Sequence, residues 1–226
     1  NWFKGKPSVD GVEFRVLPEN ATQEAEFLAG NLDYIVLTSA QYKKFVADPK
    51  WKPYIVEVPE LFTRFFGFNT TKAPFNKIEV RQAVNYAIDK GAIIKSVLHD
   101  KAVAATGVLP PSIAGYNKTL KGYEYDPDKA KQLLAKAGYP NGFEAEILCT
   151  DNVSWGLPPI EAAMGYLSKV GIKLKPVLMD ANTMLDRARK GDFVAYSHST
   201  GADASALAYI YYRFHSSLAD GLGNAT

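Results

Sequence analysis

Cysteine is nearly absent from the sequence, with one residue, Cys149, in 226. A single thiol excludes an internal disulfide and leaves no cysteine cluster for structural zinc. Histidine is scarce as well, and the three present, His99, His198 and His215, show no metal-ligand spacing. An excess of either charge is missing: 26 Lys and Arg oppose 24 Asp and Glu, for a net charge of +2. That balance gives no electrostatic reason to expect nucleic acid or an anionic membrane as partner. No apolar run approaches the ~20 residues that a membrane-spanning helix needs. The signatures G-x-S-x-G, G-x-x-x-x-G-K and H-E-x-x-H do not occur, and Gly221-Leu222-Gly223 lacks the third glycine and preceding strand of a dinucleotide loop. The start, Asn1-Trp2-Phe3-Lys4-Gly5, does not have the shape of a signal peptide, so it names no compartment. What is present is a chain 47% hydrophobic and 22% charged, enough for a sizeable core and too apolar for wholesale disorder.

The pattern along the chain alternates strands and helices. Val12 to Val16 alternates apolar and charged residues as a half-buried strand does, and Asn20 is placed to cap a short helix closed by Gly30. Tyr34 to Leu37, Tyr54 to Val58 and Thr63 to Phe68 read as further strands, with a helical spacing of Tyr42, Phe45 and Val46 among them. Past the turn-rich stretch Asn69 to Pro74, Val80, Ala83, Val84, Ala87 and Ile88 form one apolar helical stripe, and Ile93, Ile94 and Val97 a second, shorter one. Leu109 to Tyr125 is a long connection rich in Gly, Pro and Tyr, packed on the surface by its aromatics. Asp126-Pro127-Asp128 then opens the best-marked helix, which Gly138 closes. From Phe143 to Tyr196 the reading is strand, helix, strand, helix, strand. Phe143 to Cys149, Ile172 to Lys175 and Phe193 to Tyr196 are the strands of an α/β lobe.

Open α/β sheets hold ligands in the crevice beyond the carboxyl ends of their strands. Two stretches are expected there. One is Thr150 to Trp155, following the strand that ends at Cys149; the other is Ser197 to Asp203, following the strand that ends at Tyr196. Trp155 can supply an aromatic wall or anchor its own loop beside Pro158 and Pro159. Asp203 can present a fixed negative charge or cap the helix-like run from Ala204 to Phe214, and spacing alone does not separate these roles. Tyr209, Tyr211, Tyr212 and Phe214 read as packing residues rather than a stacking platform. Cys149, inside an apolar strand, reads as a buried thiol and not a nucleophile. Residue chemistry by itself leads to a small-molecule cleft and no further.

Three strings carry a resemblance. They are Gly11 to Val16 with Leu28-Ala29-Gly30-Asn31-Leu32-Asp33; Phe68 to Phe75 running into Val80 to Lys90; and Tyr125 to Ala130 with Leu133-Leu134 and Ala137-Gly138-Tyr139-Pro140. In order and spacing they resemble the family-5 extracellular solute-binding proteins of ABC importers, the dipeptide- and oligopeptide-binding group. The resemblance covers nearly the whole chain. It implies an α/β lobe like that of a periplasmic binding protein (type II, cluster C-like) with a mixed sheet, together with part of the other lobe. Residues 1–65 correspond to the N-terminal-side lobe leading to a hinge near Thr63 to Asn69, and 66–226 to most of the C-terminal-side lobe, truncated at its end. Family members are much longer, so the chain is expected to be a fragment that binds ligand weakly or not at all alone.

The resemblance further implies a monomeric, non-catalytic protein without cofactor or metal, whose lobes close over a ligand before docking on a membrane permease. Its location would be periplasmic or extracellular, with a lipid anchor as an option. In the peptide binders an aspartate in a Gly/Trp-x-Ala-Asp loop pairs with the peptide's α-ammonium, and Gly201-Ala202-Asp203 matches that position. Thr200 stands where these binders often carry Trp, and Ser197 and His198 stand where some relatives carry an arginine for the peptide carboxylate. The ligand-binding set read this way is Asp203, Thr200, Trp155, His198, Ser197 and Thr150. Neutral hydroxyls with Trp155 also suit an oligosaccharide, so peptide is the first reading and sugar the alternative. A hydrolase would need Asp203, Asp151 and His198 as an acid–base set, and no second carboxylate is placed by spacing to support it.

Overall fold

The computed structural model describes Gly5, residues 8–150 and 157–201, and residues 206, 207, 210 and 211. The chain forms two compact units, Asn1–Ile55 and Val56–Thr226.

The first unit holds two short helices, α1 (Asn20–Leu28) and α2 (Ser39–Ala47), and a 3-10 turn at Lys52–Tyr54. Asn20 is the first helical residue of α1 and not its cap, since Glu19 occupies that position. Thr38 closes α2 reciprocally with Gln41: the Gln41 N–H donates to Thr38 Oγ1 at 3.3 Å, and the Thr38 N–H donates to Gln41 Oε1 at 3.0 Å. Phe27, Phe45 and Trp51 gather with ring centroids 5.2–6.1 Å apart, and Phe45 is buried among them. The strands expected at 12–16, 34–37 and 54–58 do not form: among the described residues before Phe62 no strand pairing occurs. A strand exists only through hydrogen bonds to a neighbour, and alternation without one leaves apolar side chains in water. Phe14 and Val16 are accordingly 89% and 90% exposed.

The second unit is built on a four-stranded mixed sheet of β1 (Phe62–Phe68), β2 (Phe143–Thr150), β3 (Ile172–Met179) and β4 (Ala195–Gly201), in the order β1-β4-β2-β3. β2 runs parallel to β3 and β4, while β1 runs antiparallel to β4. One face carries Ile147, Cys149, Ile172, Leu174 and Ala195 into the main core, against α3 (Ile78–Ala87), α5 (Pro127–Lys136) and α6 (Leu157–Ser168). Val80, Ala83, Val84 and Ala87 are the buried stripe of α3, as their spacing predicts. The opposite face packs Leu148, Phe193 and Tyr196 against Met184 and Ala188 of α7 (Ala181–Arg189). Its amino-terminal half is polar, where Glu144 pairs with Lys173 and Lys175 at 3.7 and 2.6 Å.

Capping chemistry sets the helix starts. Asp126 Oδ1 accepts from the Lys129 N–H at 2.9 Å with Pro127 in the first turn of α5. Asp89 accepts from the Ala92 N–H at 2.8 Å and opens a short helix, α4 (Lys90–Ser96). Two strands run longer than their sequence pattern predicts. β3 continues to Met179, and β4 runs through Ser197–Gly201, the stretch expected as a loop. All seven residues of β4 have partners in β1, and that ladder outweighs the polar composition of Ser-His-Ser-Thr-Gly.

Candidate functional site

The crossovers through α6 and α7 lie on opposite faces of the sheet, so the carboxyl ends of β2 and β3 send their chains in opposite directions. This is the arrangement in which an open α/β sheet leaves a crevice. Thr150 is the last residue of β2 and pairs with Met179. On β4, Ser197, His198 and Thr200 pair with Phe66, Phe65 and Thr63. Side chains alternate along a strand, so Thr150, His198 and Thr200 share one face with Leu148, Tyr196 and Phe65, whereas Ser197 points to the other with Ala195 and Phe66. The structure thus groups three of the four described candidates and separates Ser197 from them. Trp155 and Asp203 lie outside the described residues.

An aromatic floor supports the group. The His198 ring stands perpendicular to Phe65 at 6.2 Å and tilted against Tyr196 at 6.1 Å, and Phe65 and Tyr196 meet edge to face at 6.1 Å. Tyr196 fits because Gly67 lies opposite it: a Cβ on Gly67 would sit 2.0 Å from the tyrosine ring. At the end of the ladder, Thr63 and Thr200 form a buried hydroxyl pair, 8% and 3% exposed. Thr63 Oγ1 donates to the Val108 carbonyl at 2.9 Å, and Thr200 Oγ1 has no hydrogen-bond partner among the described residues. Leaving a buried hydroxyl unpaired costs about 1–3 kcal/mol, so Thr200 Oγ1 is set to donate to or accept from a group beyond the described residues.

Among the described residues, His198 is the imidazole that these strands bring to this end of the face, beside the Tyr196 phenol. Burial pushes the Cys149 thiol up to about 11, so it stays protonated and is unsuited to attack. Among the described residues no three His, Cys, Asp or Glu side chains gather as a metal site, and no helix is long and apolar enough to cross a membrane. Two hydroxyls and an imidazole on an aromatic floor can hydrogen-bond and stack on a small polar ligand. Thr63 and Val108 are absent from the sequence-derived set. A threonine in an aromatic strand was a visible sign, but its partners Thr200 and Val108 are far away in the chain.

A family model described as bacterial extracellular solute-binding proteins, family 5 (middle) matches residues 1–221. The chain belongs to this family. Among its family-5 relatives, heme-binding protein A of Haemophilus influenzae is 38% identical over 200 residues, 86% of this chain and 36% of that protein. The glutathione-binding protein GsiB of Escherichia coli is 34% identical over 180 residues, 80% of this chain and 35% of that protein. The chain therefore spans little more than a third of the length of the curated relatives it matches. Among solved structures, the periplasmic binding protein DppA of Helicobacter pylori, in complex with the peptide STSA, superposes with a TM-score of 0.83 at 28% identity, covering 93% of this chain and 41% of that one. The mixed-sheet unit is thus a lobe of the periplasmic-binding-protein kind, as the resemblance implies. The family is one of binding proteins rather than enzymes, and its description makes it extracellular.

Proposed function

We propose that this chain supplies the ligand-gripping lobe of a non-catalytic solute-binding component of an ABC importer, and that its ligand is a short peptide with a free amino terminus. The observation that carries the proposal is the grouping of Thr150, His198 and Thr200 on one face at the carboxyl ends of β2 and β4, directly before Gly201-Ala202-Asp203. In this reading Asp203 receives the α-ammonium, Trp155 walls the ligand, and Thr150, His198 and Thr200 serve its polar backbone groups; Ser197 faces away from them. A carboxylate facing a desolvated ammonium discriminates strongly, because either charge left alone is costly. Residues 1–65 then belong to the other lobe and lead to a hinge at Thr63 to Asn69, and closure precedes docking on the permease outside the cytoplasmic membrane. A relative named for glutathione, itself a tripeptide, and a structural neighbour holding STSA support the peptide over other solutes.

The uncharged hydroxyls also favour an oligosaccharide as the second reading. Native mass spectrometry of the full polypeptide carrying residues 1–226, followed by calorimetric titration with di- and tripeptides and with oligosaccharides, decides between them. A co-purified peptide mass and saturable peptide binding are expected. Sugar binding without peptide binding selects the alternative, and turnover of either ligand sinks both.

A further inference from the structure

The long connection after α4 is not remote from the candidate site. Thr63 holds the Val108 carbonyl at 2.9 Å, directly beside Thr200. Farther along, Gly115 lies so close to Ala206 that a Cβ placed on it would come within 3.4 Å of the Ala206 Cβ. The loop therefore touches the protein on both sides of the Gly201-to-Ala206 stretch, at the Thr63–Thr200 pair before it and at Ala206 after it. It also has internal order. Thr106 Oγ1 and the Tyr116 hydroxyl lie 3.1 Å apart and close its base, and turns run from the Ile113 N–H to the Pro110 carbonyl and from the Tyr116 N–H to the Ile113 carbonyl, both at 3.1 Å. Pro110 and Ile113 are buried, while the Val108 side chain is 43% exposed although its carbonyl is tied down. From Ala102 to Asn117 the sequence contains no Asp, Glu, Lys, Arg or His.

The geometry points to this loop as a side wall of the ligand site, with Val108 as a specificity-determining contact and Thr63 as the positioning residue that holds it. The inference rests on the peptide reading above, in which Asp203 takes the ligand's amino end. The loop then borders the first residue of the peptide. A wall without charges, presenting an aliphatic side chain, selects a neutral, apolar first side chain and disfavours a charged one, whose desolvation nothing there compensates. Thr63 acts through Val108: without its hydroxyl the loop loses its tie to β1 and the wall loses its place.

The test is titration of the full polypeptide carrying residues 1–226 with Leu-Gly-Gly, Asp-Gly-Gly and Lys-Gly-Gly. The wild type should bind Leu-Gly-Gly about tenfold or more tightly than the charged pair, the range that one apolar contact discriminates. Val108→Asp should reduce Leu-Gly-Gly affinity and move the preference toward Lys-Gly-Gly, and Val108→Lys should move it toward Asp-Gly-Gly. Thr63→Val should raise amide exchange across 106–116 and flatten the preference. Equal losses for all three peptides in both Val108 variants would mark a structural role and overturn the assignment. An undisturbed wild-type ranking in the Thr63→Val protein, once faster exchange of the loop is confirmed, would do the same. If the wild type binds none of the three, the peptide reading itself falls and this assignment with it.

Discussion

Gly67 is a residue that no other can replace without moving its neighbour. Its missing side chain is the space that the Tyr196 ring fills, and a Cβ there would stand 2.0 Å from that ring. Gly67→Ala should lower stability by about 1–3 kcal/mol, the usual penalty of overpacking. Urea unfolding measures it, and the paired change Gly67→Ala with Tyr196→Ala should cost less than the two single changes summed. Thr200 behaves in the opposite sense. Its hydroxyl is buried with no partner among the described residues, so Thr200→Val keeps the shape and removes that polar group; the unliganded protein should gain about 1 kcal/mol. The same substitution should weaken peptide binding if the ligand is the missing partner. A stable variant with unchanged affinity would remove Thr200 from the site. Asp203 belongs to the proposed charge pair, and Asp203→Asn should weaken a free-amine peptide about a hundredfold, as loss of one partner of a buried pair does. An N-acetylated peptide should be insensitive to that change, which titration of both ligands would reveal.

At the scale of elements, α7 depends on its cap. Asp180 accepts from the N–H groups of Asn182 and Thr183 at 3.0 and 3.1 Å and from the Thr183 hydroxyl at 2.5 Å. The Thr183 bonds first, then the remaining backbone donors, hold its carboxyl below the ordinary carboxylate range. A group whose folded pKa is depressed stabilises above its unfolded value, near 3.9, and loses that contribution as pH falls through the folded value. Asp180→Ala should therefore lower Tm at pH 7, and the gap to the wild type should close as the scan is carried into acid. A constant gap at all pH values would mean that packing, not the carboxylate, is what the substitution removed. Such caps are why the helices were legible: Asp126-Pro127 and the stripe of Val80, Ala83, Val84 and Ala87 act within a few residues of themselves. Strand limits are different, because a strand is defined by a partner. Ser197–Gly201 reads as loop on composition and is strand because β1, more than a hundred residues earlier, offers a matching ladder. Val12–Val16 reads as strand and is not paired. The site was legible to the same degree: position at strand ends could be inferred, whereas the Thr63–Thr200 pair and the Val108 tie depend on contacts that no local pattern encodes.

For the whole molecule, the division at Ile55 and Val56 separates two bodies of very different cores. The second carries helices on both faces of a four-stranded sheet, with Phe75, Leu134, Ile147, Leu148, Leu167 and Met184 almost fully buried. In the first, Phe45 is the one buried hydrophobic residue among those described, while Phe14, Val16, Tyr34 and Tyr54 stand largely in water. Free energy of opening follows buried apolar contact, since backbone hydrogen bonds exposed to solvent contribute little protection by themselves. Among the described residues of this unit one aromatic cluster, Phe27, Phe45 and Trp51, carries the packing, and it cannot offset chain entropy as the larger core can. Hydrogen exchange of the 226-residue chain should therefore show amides of β2, β4 and α3 protected to the level of global unfolding and those of 8–55 exchanging orders of magnitude faster. An independent check is limited proteolysis, in which early cuts should fall before Val56 and leave a resistant core. Peptide ligand added to the full polypeptide should slow exchange at the ends of β2 and β4, where the proposed site lies; unchanged exchange there would remove the site from this lobe.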